Sequence, residues 1–275
     1  LQIPNVTLNS GSVIPQLGVG TYLIEPEHTE RVVSEAFKAG YRHIDTASFY
    51  QNEPAVGAAV KNSGIARNEI FITTKLWNTD QTRGVAAFEE SLDRLGLDRV
   101  DLFLIHWPQP VYGEALTAWR SLIEIAQSGR STAIGVSNFE ISDLQELIDE
   151  TGVVPAVNQI ELHPFHQRRE LRAFCADHGI AVEAWGPLAR GRTDLLERPE
   201  VTAAAQALGK SPAQIVLRWH VQQDRIIFPK TTRRERLIEN AQLFDFELSI
   251  DQMAAIDALE EARNLGPDPR TDARR

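Results

Sequence analysis

The chain has 275 residues, of which 28 are Lys or Arg and 38 are Asp or Glu, for a net charge of −10. That length suffices to bury one large core, and the acidic balance argues against nucleic acid or an anionic membrane as a general partner, since both ask for a broad positive surface. A lone cysteine, Cys175, permits no internal disulfide, and with no basic-then-apolar leader and no run of about 18 apolar residues a soluble, cytoplasmic protein is expected.

In chain order, Val6 to Leu8 and Val13 to Pro15, joined by Asn9-Ser10-Gly11-Ser12, read as a β-hairpin. A short first strand follows at Leu17 to Gly20. From there one unit recurs: amphipathic helix, glycine, apolar strand. Val33 and Phe37 mark a helix that Gly40 ends, before the strand His43-Ile44-Asp45; Gly64 closes the next helix, before Phe71 to Lys75. Phe88, Leu92 and Leu95 lead to Gly96 and the strand Val100 to Ile105, and Leu116, Trp119 and Ile123 lead to Gly129 and Thr132 to Ser137. Gly152 and Gly179 close two more helices, before Ala156 to Ile160 and Ala181 to Trp185. Ser211 as N-cap and Pro212 at the first helical position start an additional helix, and Ile226 to Phe228 is the last strand. These strands are mostly continuous apolar runs, as expected of strands buried on both faces. Eight alternations predict one α/β domain over residues 1–275: a (β/α)8 TIM barrel with its floor plugged by the N-terminal hairpin, and with extra helices. The polar tail Arg263 to Arg275, with Pro267 and Pro269, is expected to lie on the surface as a loop.

In such a barrel the active site lies at the C-terminal ends of the strands. Here those ends carry Asp45, Lys75, His106, Ser137-Asn138, Gln159, Trp185 and Lys230. Each alone has a plain explanation: a strand-end lysine snorkels to water, and a histidine there is a satisfied core group. On one rim they bring an acid, a base and an imidazole together. A tyrosine hydroxyl is a poor proton donor at neutral pH unless a cation stabilises its anion. Lys75 can supply that charge, Asp45 can hold Lys75 ionised, and His106 can hydrogen-bond a developing oxyanion. Tyr50, in the loop after Asp45, is placed to be the donor, although spacing alone also allows a packed rim aromatic. Tyr22, Phe49, Trp77 and Trp107 are candidate walls of a substrate pocket.

Two alternatives stand beside that reading. Lys75 could be the nucleophile of a Schiff-base aldolase, but then Lys230, Arg233, Arg234 and Arg236, a cationic cluster where barrels bind phosphate, have no purpose. The chain could also bind a nucleotide without turnover, which the intact set of Asp45, Tyr50, Lys75 and His106 counts against. Gly18-Val19-Gly20 lacks the third glycine of a dinucleotide fingerprint. Pro164 breaks the helix that a paired-histidine zinc motif needs at Glu161, His163 and His166, so no metal is expected. Cys175, in an apolar helical stretch, reads as core.

The segment Gly40-Tyr41-Arg42-His43-Ile44-Asp45-Thr46-Ala47, followed by Tyr50 and Asn52-Glu53, resembles the first signature of the aldo-keto reductases. Further matches are Phe71 to Trp77, Asp101 to Pro108, Ile134 to Phe139, Asn158 to Pro164, and Phe228 to Thr232 with Glu239-Asn240. The resemblance runs in order from about Pro15 to Ala258 and is greatest to the bacterial branch that includes 2,5-diketo-D-gluconate reductases. It implies an enzyme that reduces carbonyl compounds with NADPH; a monomer is expected because such barrels usually are and no exposed apolar heptad argues otherwise. By resemblance, Tyr50 is the general acid with its pKa lowered by Lys75 and Asp45, and His106 orients the carbonyl. Ser137, Asn138 and Gln159 would bond the nicotinamide carboxamide, with Trp185, tyrosine in many members, stacked on the ring. The loop Gly186-Pro187-Leu188-Ala189-Arg190 would cover the pyrophosphate. Lys230, Thr231, Thr232, Arg233 and Arg236, with Phe228 beside them, would hold the 2′-phosphate, and Glu239 and Asn240 the adenine. Keto sugars, α-dicarbonyls and aromatic aldehydes all remain open as substrates.

Overall fold

The computed structural model describes residues 3–275. Strands β1 (Asn5–Thr7) and β2 (Val13–Pro15) pair antiparallel with Val6 opposite Ile14. Leu8 and Ile14 turn into a small apolar cluster with Phe71, Leu102, Ala133, Ala156 and Ile226, which lie at or near the starts of the barrel strands. The hairpin thus seals the end of the barrel opposite the strand C-termini.

The remaining elements are β3 (Val19–Gly20), α1 (Pro26–Lys38), β4 (His43–Asp45), α2 (Glu53–Asn62), β5 (Phe71–Leu76), α3 (Gly84–Leu95), β6 (Val100–Ile105), α4 (Ala115–Gln127) and β7 (Ser131–Ser137). Then come α5 (Ile141–Thr151), β8 (Val157–Glu161), α6 (Arg169–Asp177), β9 (Ala181–Trp185), α7 (Pro199–Leu208), α8 (Pro212–Val221), β10 (Ile226–Ile227), α9 (Arg234–Ala241) and α10 (Ile250–Asp257). Eight parallel strands follow one another in the order β3 to β10. Leu17 bridges Ile227 in parallel, with Gly18 N donating to Ile227 O at 2.8 Å and Ile227 N to Gln16 O at 2.9 Å, so the last strand meets the first. The expected barrel is the observed one.

Helix α3 shows why the repeated pattern produces this layer. Ala87, Phe88, Ser91, Leu92 and Leu95 recur at three- and four-residue spacing and are all buried, and Gly96 ends the helix at φ 62°. Phe88 meets Phe103 of β6 edge to face, ring centroids 4.8 Å apart. Two helices, α7 and α8, lie between β9 and β10. Ser211 caps α8, accepting from Gln214 N at 3.3 Å while the Gln214 side chain returns a bond to Ser211 N at 3.0 Å. Cys175 is buried, its thiol pushed up to about 12 by burial.

The tail departs from expectation. It is irregular, as its prolines imply, but it crosses the rim formed by the C-terminal ends of the strands. Glu161 accepts from the backbone N–H groups of Leu265 and Gly266 at 2.7 and 2.9 Å, Gln109 Nε2 donates to a buried Asp272 at 3.0 Å, and Asn78 Nδ2 donates to Arg274 O at 2.8 Å. Polar residues on other elements need these partners, which local composition could not reveal. No helix among the described residues is long and apolar enough to cross a membrane.

Candidate active site

The ends of β4 and β5 place Asp45 and Lys75 side by side inside the rim. Lys75 has no exposed surface, and its ammonium donates to Asp45 Oδ1 at 2.7 Å, Thr46 O at 2.9 Å and Tyr50 Oη at 3.4 Å. Three protons meet three oxygens, which is how a lysine can stay charged in a barrel interior. An Nζ engaged by three oxygens and without exposed surface is not presented to a substrate carbonyl, which counts against the aldolase reading.

Tyr50 is aimed by its loop. A 3-10 turn over Ser48–Tyr50 ends on Gln51 at φ 57°, Ser48 Oγ donates to Lys75 O at 3.0 Å, and Thr46 Oγ1 donates to Asn52 Oδ1 at 2.8 Å. Asn52 in turn donates to Thr21 O and Ile24 O at 3.0 and 3.2 Å, tying the loop to the end of the first barrel strand. Contrary to the expectation of a lowered pKa, burial holds the Tyr50 hydroxyl well above its ordinary value, and the Asp45 carboxylate adds to that direction. The hydroxyl therefore carries its proton at neutral pH. Burial also raises the Asp45 carboxyl, opposed by Lys75 and Gln159.

His106 follows β6 with its ring edge-on to Tyr50 at 5.6 Å and to Trp77 at 5.2 Å. Burial, with the nearby charges of Lys75 and Arg274, keeps its imidazole well below the usual range, hence neutral. Phe49 stacks on Trp77 at 3.8 Å and Tyr22 lies 5.1 Å from Tyr50. Trp107 is buried beneath the Arg274 guanidinium, 4.6 Å away. Tyr22, Phe49 and Trp77, three of the four aromatic residues singled out as pocket walls, thus gather around Tyr50 and His106, while the ring contact of Trp107 is with Arg274 of the tail.

The opposite side of the rim is a chain of amides. Asn138, at φ 65°, donates to His106 O and to Ser137 Oγ, both at 3.0 Å, and accepts from Trp185 Nε1 at 2.7 Å. Ser137 Oγ donates to Gln159 O at 2.8 Å. Gln159 Nε2 donates to Asp45 Oδ2 at 2.8 Å and to Glu183 Oε2 at 2.7 Å. The loop after β9 turns at Gly186, with Pro187 buried, Leu188 packed on the core and Arg190 at φ 55°, its guanidinium 4.9 Å over the Trp185 ring. Gly266 of the tail sits so close to the far edge of that indole that a Cβ would lie 2.5 Å from it.

Beyond β10 the chain exposes its cations. Lys230, Thr232, Arg233, Arg234 and Arg236 are exposed around the start of α9, Thr231 is buried with its Oγ1 accepting from Arg233 N at 3.1 Å, and none of these cations has an acidic partner among the described residues. Phe228 is buried under Gly20, whose Cβ would lie 2.9 Å from Phe228 O. Asn240 is buried, and Glu239 accepts from Ser211 Oγ. At the remaining motif, His163 Nε2 meets Glu161 Oε1 at 3.2 Å while Glu161 also holds the tail, and no group of His, Cys, Asp and Glu among the described residues forms a metal site.

Glu183 is the residue that inspection of strand ends passed over. Its signal was present: an acid in the middle of Ala181-Val182-Glu183-Ala184-Trp185, a strand otherwise free of charge.

The profile of the Aldo/keto reductase family matches residues 16–261. An aldo-keto reductase of Mycolicibacterium smegmatis is 50% identical over 270 residues, covering 98% of each chain. The methylglyoxal reductase DkgA of Yersinia pestis is 48% identical over 266 residues, 97% of this chain and 96% of that one. The solved structure of a Gox0644 variant in complex with NADPH superimposes with a TM-score of 0.95 at 42% identity, covering 99% of this chain and all of the other. With the barrel, the rim residues and near-complete coverage agreeing, this chain belongs to the aldo/keto reductase family of oxidoreductases.

Proposed function

We propose that this protein reduces small aldehydes and ketones with NADPH, with Tyr50 as the general acid. The observation that carries the reading is the buried line Asp45–Lys75–Tyr50 ending beside a neutral His106. The residues present suit a reduced dinucleotide. Trp185 offers a flat face, Gln159 keeps a carbonyl oxygen without a protein donor, and unpaired cations stand where a 2′-phosphate would be held. When bound, the nicotinamide supplies the hydride.

The chain's own groups do the rest. An acid must hold its proton until the carbonyl oxygen becomes negative, and burial ensures that Tyr50 does. As the proton leaves, the phenolate forms 3.4 Å from Lys75 Nζ, whose charge Asp45 keeps in place. Lys75 thus acts on the anion as it appears, rather than by ionising the phenol beforehand. His106, uncharged, can donate one N–H to the same carbonyl oxygen. Phe49, Trp77 and Tyr22 give that point an apolar border, Phe49 and Tyr22 from the exposed side.

The methylglyoxal reductases among its relatives make short α-dicarbonyls the first substrates to test. Consumption of NADPH at 340 nm with methylglyoxal, a keto sugar and an aromatic aldehyde should show turnover with at least one. Tyr50→Phe should lower kcat about 10²- to 10⁴-fold with the NADPH dissociation constant within about twofold of wild type. Wild-type turnover in that variant removes Tyr50 from the role of acid.

A further inference from the structure

Glu183 stands in the middle of β9, opposite Gln159 of β8 in the strand register, with no solvent exposure. An ionisable side chain so placed is unfavourable unless a partner or a proton compensates it, and the reaction as derived above gives it no task. Its Oε2 accepts from Gln159 Nε2 at 2.7 Å, and that same nitrogen donates to Asp45 Oδ2 at 2.8 Å. Asp45, paired with Lys75, can only accept, so the Gln159 atom touching both carboxyl groups has to be the nitrogen, and both its protons are committed. The Gln159 carbonyl Oε1 is what the amide leaves for a ligand, and it can only accept.

Charge balance decides the form of Glu183. Asp45 from β4 and Lys75 from β5 are the charged groups that reach it, and they already neutralise each other. Its other strand neighbour, β10, contributes Ile226 and Ile227, and β8 contributes the uncharged Gln159. Glu161, two residues further along β8, is bound to His163 and the tail. A second carboxylate would leave an uncompensated charge in the barrel interior. Burial and the Asp45 charge push the Glu183 carboxyl up to about 8, and its Oε1 is buried with no acceptor or donor facing it.

We propose that Glu183 is a positioning residue that works as the neutral acid. By accepting from Gln159 it locks that amide with Oε1 free, so that the position takes an N–H donor, as the carboxamide of a nicotinamide provides. By keeping its proton it holds a second negative charge away from Asp45, Lys75 and Tyr50. The inference rests on the NADPH-dependent reading above. Ionisation of Glu183 near pH 8 opposes proton release from Tyr50, so reduction should decline there. The other groups of the site titrate elsewhere: burial holds His43 near 3, His106 well below its usual range and Tyr50 well above its own.

Glu183→Gln keeps a carbonyl acceptor for Gln159 but cannot ionise. Its NADPH dissociation constant, read by tryptophan quenching, should stay within about threefold of wild type. Its kcat/KM should run flat across pH 8 to 9, where wild type falls by up to about fivefold as the acid form is lost. Glu183→Leu removes the acceptor and should weaken NADPH about tenfold; if that variant does not fold, the Gln variant carries the test. A second readout needs no turnover. Between about pH 5 and 8 the folded wild type holds a proton that the unfolded chain has lost, so wild type should lose stability relative to Glu183→Gln as pH rises through that window, measured by denaturant midpoints. Identical pH profiles and parallel stability curves, with normal turnover, overturn the role of Glu183 alone. A wild type that neither binds nor consumes NADPH overturns the functional reading and the positioning role with it.

Discussion

His43 lies on β4 two residues before Asp45, wholly buried, with Nδ1 3.3 Å from Pro15 O and Nε2 3.3 Å from Thr73 Oγ1. Burial drives its imidazole down to about 3, while the unfolded chain takes up a proton near pH 6.5. The stability this contributes is complete above pH 6.5 and is lost as pH falls toward 3, at about 1.4 kcal/mol per unit for one such group. His43→Gln should therefore show a shallower loss of stability than wild type between pH 6 and 4, seen in urea midpoints. The slope should not vanish, because burial lowers His106 and His220 in the same direction. Asp45, Lys75 and His106 were legible because each ends an apolar strand, where a polar side chain has to face the rim. Glu183 was visible too, but its partner was not: nothing local says that Gln159 stands across from it.

At the scale of elements, the alternation of apolar strand and amphipathic helix was readable because each element buries one continuous surface. Boundaries were less so. The first and last strands of the barrel shrink to Val19–Gly20 and Ile226–Ile227, and a second helix, α7, precedes the one announced by Ser211 and Pro212. Helix packing also sets demands that no helix shows alone. Gly57 in α2 reads as a weak point in a helix, yet α3 comes so near that a Cβ there would lie 1.9 Å from Leu95 O. Gly57→Ala should consequently destabilise the fold by about 1–3 kcal/mol despite better helix propensity. An unchanged or raised melting temperature would show that the two helices can separate at no loss.

Across the whole molecule, the dominant fact is a net charge of −10 with a cluster of exposed cations after β10. An acidic surface repels a nucleotide phosphate except where Lys230, Arg233, Arg234 and Arg236 reverse the local field, and salt screens that field. NADPH affinity should fall several-fold more steeply than NADH affinity between about 0.05 and 0.5 M salt. Arg236→Ala should bring the two slopes together, as measured by fluorescence titration. Parallel slopes in wild type would place the 2′-phosphate away from the cluster.

The sequence by itself determined the barrel and its rim positions, because periodicity and strand-end chemistry are local properties that survive without coordinates, and the family, through motifs that follow one another in order along the chain. Only the tertiary structure decided that Lys75 meets three oxygens, that burial raises the Tyr50 hydroxyl above its ordinary value, that Glu183 shares Gln159 with Asp45, and that the tail crosses the rim to Glu161 and Trp107. Each of these depends on burial or on contact between residues distant in the chain, and electrostatic effects in a dry interior follow from that three-dimensional company rather than from the identity of the side chain.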